Sequence, residues 1–345
     1  MGGGGRCLWT TRGVEPAEVA RLGHMSTYAT VFGPEPFTLR TAARDGLARG
    51  LLRELVRRGQ VRRVLRGVYV DTRVPDTVEL RARALALVVP RGVVVGLRTA
   101  AWLHGVDVSA MGSHLREPPI DLLAPAGSSA TRRPGVRGMS GPLRDADLCE
   151  RSGLVVTDAV RTAADLARLL RRPDALASLD AMFRLLGGLD GGVVLDELEQ
   201  FAGYRGVVQA RELAAIADGR AESPMESRTR LRALDAGFPP FEPQVQVFDD
   251  GGEFVARLDL ARRRERKGLE YDGDIAHASA EQQAYDRSRR SRVEECGWGL
   301  AVVTAVHVLG RGLAFERGVA ELLGCEFRLS RHHPRYGGWD RPGGV

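Results

Sequence analysis

The apolar residues of the chain change rhythm several times, and each change marks an element. In residues 37–70, FTLRTAARDGLARGLLRELVRRGQVRRVLRGVYV, the apolar positions Leu47, Leu51, Leu52, Leu55 and Val56 follow helical spacing. Thr38 suits the N-cap of a short first helix that stops at Gly46, and a second helix runs from about Ala48 to Arg58 and stops at Gly59. Val61–Val70 then reads as a β-ribbon with a break at Gly67. Residues 72–190 alternate strand-like runs (Val93–Val95, Ile120–Leu123, Leu154–Val156) with helical patterns near 77–88, 158–170 and 174–186, an α/β pattern. A glycine-rich start (Gly187, Gly188, Gly191, Gly192) leads into two amphipathic helices near 194–202 and 206–217.

From Ser223 the pattern changes again. Ser223-Pro224-Met225-Glu226 places serine at the N-cap, proline at N1 and glutamate at N3, the capping-box arrangement, for a helix that reaches about Ala236 and stops at Gly237. Pro239, Pro240 and Pro243 mark an extended connection. Val245–Phe248, Phe254–Leu260 and Gly268–Asp272 read as strands, joined by the turn Asp249–Gly252 and the charged turn Arg262–Lys267. A helix over Ala280–Cys296, a strand over Leu300–Val303 and a helix near 312–323 complete an αβββαβ order with one further helix. The two-residue strand period puts Val255, Arg257 and Asp259 on one face, and Gly268, Glu270 and Asp272 on one face of the next strand.

These patterns predict a mixed α/β (α+β) protein in six parts: an extension over 1–24, a helix-helix-hairpin unit over 25–71, an α/β region over 72–190, a helical connector over 191–222, an αβββαβ domain over 223–328 and a disordered tail over 329–345. The opening MGGGG carries no apolar signal core, and Met25 is the expected true start. The 345 residues are 43% hydrophobic, with no run near the ~20 apolar residues of a membrane span. The net charge of +6 and pI of about 9.5 suit an anionic partner. Lys267 is the only lysine, so 49 of the 50 basic residues are arginine (50 − 1), whose planar fork matches phosphate and guanine edges. Cys7, Cys149, Cys296 and Cys325 are far apart, which argues against a zinc ribbon or a disulfide scaffold and for a reducing cytoplasm.

Charge changes the picture of residues 37–70. Arg49, Arg53 and Arg57 recur every four residues on one helix face, and Arg62, Arg63 and Arg66 sit on the ribbon. Helix, tight turn, helix and basic hairpin is the layout of a winged helix-turn-helix, whose second helix enters the major groove of double-stranded DNA while the arginines neutralise phosphates. The plain alternative is a solvated arginine face. The frame FT…AA…G…L…LVRRG…RV.RGVYV resembles the N-terminal domain of the AbiEi-family antitoxins of type IV toxin–antitoxin systems. The likeness continues more loosely to about residue 190, through Gly96–Gly105 and Val156–Ala167. It implies a DNA-binding transcriptional regulator with a cognate toxin. The α/β region itself holds no catalytic constellation. His104, beside Trp102 and Leu103, reads as packed; Arg161 and Asp165 read as an i,i+4 ion pair; Thr157 reads as an N-cap.

The C-terminal acids invite chemistry. Asp259 and Glu270 on neighbouring strands, with Asp272 two residues on and Glu226 on the preceding helix, can converge on Mg2+ (or Mn2+), which activates water and neutralises phosphate charge. Residues 223–325 resemble the PD-(D/E)XK nuclease superfamily, and within it the branch related to very-short-patch-repair (Vsr) endonucleases. The matching residues are Ser223–Glu226 with Arg230, Gln244, Leu258–Ala261, Leu269–Gly273 with His277, Asp286 with Arg289, and Gly297-Trp298. The resemblance implies a hydrolase with Asp259, Glu270 and Asp272 as metal ligands and His277 as general acid or base. It has a departure: the family lysine falls at position 272, where this chain has aspartate, and Lys267 lies an odd number of residues from Glu270. The main expectation is a DNA-binding protein with a metal-dependent endonuclease domain. The alternative is a non-enzymatic antitoxin-type regulator with a degenerate nuclease fold, its acids paired with nearby arginines. Arg287, Arg289, Arg290 and Arg292 on the last long helix suit either DNA phosphates or a solvated face.

Overall fold

The computed structural model describes residues 33–44, 47–90, 93–108, 119–128, 135–151, 153–273 and 280–340. The mixed α/β class expected is the one found, with twelve α-helices and three sheets among the described residues. The chain divides into two compact units, Met1–Val89 and Pro90–Val345.

In the first unit, β1 (Phe37–Thr38) leads into α1 (Leu39–Arg44), then α2 (Arg49–Arg57), β2 (Val61–Leu65), β3 (Val68–Asp71) and α3 (Val78–Ala86). Thr38 caps α1 as expected: its Oγ1 accepts from the Thr41 amide at 3.1 Å, and its own amide donates to Thr41 Oγ1 at 2.8 Å. The expected stop at Gly46 lies outside the described residues. Helix α2 buries Leu52 and Leu55 against Phe37, Ala42 and Val61, and its continuation turns at Gly59, whose φ of +68° favours glycine. The hairpin β2–β3 turns at Gly67 (φ +78°) and forms a sheet of order β1-β3-β2. Two-residue β1 gave no alternating pattern for the sequence to reveal.

The second unit begins with β4 (Val94–Val95), α4 (Leu97–Leu103), β5 (Ile120–Pro125), β6 (Val136–Gly141), β7 (Leu148–Arg151) and β8 (Leu154–Thr157), followed by α5 (Ala159–Leu169), α6 (Arg172–Leu185), α7 (Gly191–Glu197) and α8 (Val207–Ala214). The sheet order is β6-β5-β4-β8-β7. Its edges β6 and β7 escaped the sequence pattern because they are glycine-containing or charged and only part-buried. Asp158, not Thr157, caps α5: the Asp158 carboxylate accepts from the Arg161 amide at 2.7 Å, while Thr157 stays in β8 and pairs its hydroxyl with Thr162 at 2.7 Å. The expected Arg161–Asp165 pair forms at 2.9 Å. His104 is packed, its Nε2 lying 2.8 Å from the Thr157 carbonyl, and burial pushes its pKa down.

The αβββαβ order follows as α9 (Pro224–Asp235), β9 (Glu242–Phe248), β10 (Phe254–Arg262), β11 (Lys267–Tyr271), α10 (Ala280–Glu295) and β12 (Gly299–Val303), then α11 (Ala305–Leu309) and α12 (Ala314–Leu323). The sheet order is β12-β11-β10-β9; β11 runs parallel to β12 and antiparallel to β10. Val245, Val247, Leu258 and Val293 form a small core that includes α10. Leu231, Leu260, Leu269, Val303 and Phe315 join a larger core that also takes in α5–α8. Helix α9 is rich in arginine yet buried, because Arg228, Arg230 and Arg232 each meet a carboxylate: Asp174 at 2.9 Å, Asp180 at 2.6 Å and Glu316 at 2.6 Å.

The expected disordered tail is corrected as far as Asp340. His333 is fully buried with Nε2 2.7 Å from Glu316 Oε1, and buried Trp339 donates its Nε1–H to Asp235 at 3.0 Å. Glycine and proline make the segment look unstructured, but His333 and Trp339 are buried and bonded to Glu316 and Asp235. Trp339→Ala is therefore expected to destabilise the second unit by about 3 kcal/mol, read as a lower urea midpoint. An unchanged midpoint means the tail is not docked in solution.

Candidate functional site

The predicted carboxylates come from three elements, α9, β10 and β11, and from Asp272 just past β11. Asp259 on β10 accepts the Tyr271 amide of β11 at 2.9 Å. The register pairs Leu258 with Val245 and Leu260 with Pro243, which sets Gln244 of β9 across from Asp259. Gln244 sits at φ +56°, a conformation that costs a non-glycine residue energy, and its Nε2 donates to Glu226 Oε2 at 2.8 Å. The capping box is half made: Ser223 Oγ accepts the Glu226 amide at 3.1 Å, but the Glu226 carboxylate accepts from the Glu222 amide at 2.9 Å and from Gln244. The sequence named Gln244 only as a motif match; its left-handed backbone has no signature in a non-glycine residue.

Glu270 on β11 is buried and accepts Arg289 Nη2 of α10 at 2.8 Å, with Arg290 Nε at 3.6 Å. Asp272, just past β11, lies 3.5 Å from Arg290 Nη2. His277 lies outside the described residues. Desolvation, followed by the charges of Glu226 and Glu270, pushes the Asp259 pKa up to about 6 against the pull of the Tyr271 amide. Oxygen-only donors are of the type that Mg2+ or Mn2+ prefers, but their placement does not fit such an ion. Among the described residues, no three His, Cys, Asp or Glu side chains are gathered to hold one ion as they stand. Arg289 and Arg290 supply the counter-charge instead.

The basic positions of the first unit divide into two groups. Arg49, Arg53, Arg63 and Arg66 are exposed. Arg57 is exposed too, but Glu54 takes its Nε at 2.8 Å and also binds Arg58 at 2.7 Å. Arg62 donates to the Val74 carbonyl at 2.9 Å, which ties it to the following loop. Among the described residues, no helix is long and apolar enough to cross a membrane.

The five-stranded sheet and the helices that follow it fall in residues 93–218, which match the AbiEi antitoxin C-terminal domain. The match takes in α7 and α8. The chain belongs to the family of two Mycobacterium tuberculosis proteins, "Uncharacterized protein MT2308" of strain CDC 1551 / Oshkosh and "Uncharacterized protein Rv2248" of strain ATCC 25618 / H37Rv. It is 35% identical to each over 249 residues, which make up 72% of this chain and 87% of theirs. The crystal structure of RV2827C protein from Mycobacterium tuberculosis is similar at a TM-score of 0.30 and 17% identity, over 62% of this chain and 84% of that one, too slight a likeness to carry structural argument.

The raised Asp259 pKa has a sign that can be checked. The folded protein holds this proton to about pH 6, whereas the unfolded carboxyl releases it near its ordinary value of 3.8. Stability contributed by Asp259 thus falls as pH rises between those values and stays lost above them. Asp259→Asn, which cannot ionise, is expected to be more stable than wild type at pH 7.5 by about 1–2 kcal/mol, at roughly 1.4 kcal/mol per unit with screening allowed for. The difference should vanish near pH 4. A variant less stable than wild type at pH 7.5 in thermal unfolding would count against the crowded carboxylates.

Proposed function

We propose that the chain is a DNA-binding transcriptional regulator of the antitoxin type whose αβββαβ domain is a PD-(D/E)XK-like module. The match of residues 93–218 to the AbiEi antitoxin C-terminal domain carries this reading. Just ahead of it lies a helix-helix-hairpin unit that presents Arg53 on α2 and Arg63 and Arg66 at the hairpin, as a winged helix-turn-helix does. Double-stranded DNA is one partner in this reading, and a cognate toxin is the other. Arg53→Ala/Arg66→Ala is expected to weaken binding to double-stranded DNA and to flatten the salt dependence by about two units of slope, roughly 0.9 per phosphate contact. Arg57→Ala should change less, because Glu54 already neutralises Arg57. Fluorescence anisotropy against NaCl concentration reads both; equal loss in the two variants would sink this placement of the interface.

A second reading is favoured by one observation: Asp259 lies across the ladder from the strained Gln244, which bonds Glu226, and the charges of Glu226 and Glu270 bear on Asp259. In that reading the domain is a Vsr-like, Mg2+-dependent DNA endonuclease. Gln244 would hold Glu226 in place, and Asp272 in the lysine position would leave the cationic role to another residue. Nicking of supercoiled, mismatched or single-stranded DNA in Mg2+ or Mn2+, absent from Asp259→Ala, is the expected result. Activity equal to that variant under every condition removes the reading and leaves the regulator alone.

A further inference from the structure

We propose that Arg49, the first residue of α2, is a specificity-determining residue that reads a guanine in the major groove, and that Gly50 beside it admits the base edge to the bare helix backbone. The inference rests on the winged helix-turn-helix reading of the first unit and adds to it which residue reads sequence and which base it reads.

Three observations carry it. The first is how the arginines of α2 are engaged. Arg49, Arg53 and Arg57 are all exposed. Arg57 has closed one edge of its guanidinium on Glu54, with Nε 2.8 Å from Oε2 and Nη2 2.5 Å from Oε1, and Glu54 also holds Arg58 Nε at 2.7 Å. That edge of Arg57 is no longer open to the two acceptors of a base. Arg49 and Arg53 make no hydrogen bond or ion pair through their guanidinium groups among the described residues, so their forks are open.

The second observation is position. In a helix-turn-helix the N-terminal residues of the second helix contact base edges. Arg49 opens α2, and Arg53 lies about one turn further on, at the phosphate contact proposed above. The first turn of α2 holds no acid to compete for Arg49, and the N-cap residue, Ala48, has too short a side chain to shield it. Guanine is the base that fits, because its O6 and N7 present two acceptors side by side in the major groove, matched to the guanidinium fork.

The third observation is Gly50. It is exposed in the first turn of α2, and a Cβ built on it would meet nothing within 4 Å. Its backbone is not left-handed. Neither conformation nor packing within the chain therefore asks for glycine, and alanine would favour the helix. What glycine alone offers here is bare backbone that a group from outside can approach closely. Arg53 and Arg57, three and seven residues on, put Gly50 on the same exposed face.

The test uses the full chain and a pool of duplexes with about ten randomised central base pairs. Sequences bound by wild type, Arg49→Ala and Arg53→Ala are compared. Wild type is expected to enrich guanine at one position about tenfold over the other bases. Arg49→Ala should lose that preference; Arg53→Ala should keep it while its salt dependence flattens. Arg49→Gln should move the preference to adenine, whose N6 and N7 suit glutamine. Replacing the selected guanine by 7-deazaguanine, which lacks the N7 acceptor, should weaken wild type about tenfold in fluorescence anisotropy and leave Arg49→Ala unchanged. Gly50→Ala should bind the selected duplex about tenfold more weakly although its thermal midpoint does not fall, which separates a lost approach from a damaged fold. If wild type binds the pool with no preference that Arg49→Ala removes, or if Gly50→Ala binds as wild type does, the inference falls and the winged helix-turn-helix reading stands. If wild type binds no duplex even at low salt, that reading fails and takes this inference with it.

Discussion

Helix α9 carries Arg228, Arg230 and Arg232 into the interior, and the second unit is built around giving each a carboxylate. Asp174 and Asp180 come from α6 in the AbiEi-matched region, and Glu316 comes from α12 beyond the αβββαβ sheet. A buried guanidinium without its partner would be strongly destabilising. The helix therefore ties the antitoxin-type region to the sheet domain through charges that neither can leave unpaired. Arg232 shows how complete this can be. Besides Glu316, its Nη atoms donate to the carbonyls of Val308, Gly310 and Gly312, so it also fixes the loop between α11 and α12. His333 of the tail binds the same glutamate.

The same pairing operates at the candidate site with a different balance. In the interior, Arg232 and Glu316 are matched and closed to solvent. At the sheet end, Glu270 is buried but its arginines are a quarter or more exposed, and one of them has an unpaired donor. Asp259 has no arginine in bonding contact among its described partners and bears the crowding as a raised pKa. An unpaired buried Nε is not peculiar to this place, since Arg168, Arg228 and Arg230 of the interior pairs carry one as well; what differs here is the exposure of the arginines and the crowding at Asp259.

What the sequence made legible follows from the range of the interactions. Helix starts and stops depend on one to four neighbouring residues, so Thr38, Ser223-Pro224 and Gly59 could be read directly. The carboxylates could be placed on faces from the two-residue strand period, because Asp259 and Glu270 both lie within regular strands. The tail could not be read, because what orders it is His333 meeting Glu316 and Trp339 meeting Asp235, 17 and 104 residues away. Gln244 was hidden for another reason. Its left-handed backbone is imposed by the strand neighbours and by Glu226, not by its own preference.

At position 272, where the superfamily that residues 223–325 resemble carries lysine, this chain has aspartate. An aspartate there adds a negative charge near Asp259 and Glu270, which lowers stability unless cations meet it. Two arginines of α10 meet this charge, Arg289 at Glu270 and Arg290 at Asp272. The arginines are held by a helix whose Val293 is fully buried against the sheet, so their placement is part of the fold and not a surface accident. The carboxylates of the β10–β11 face and the arginines of α10 are thus balanced by the same buried pairing that seats α9, with Asp259 the acid left to bear the crowding.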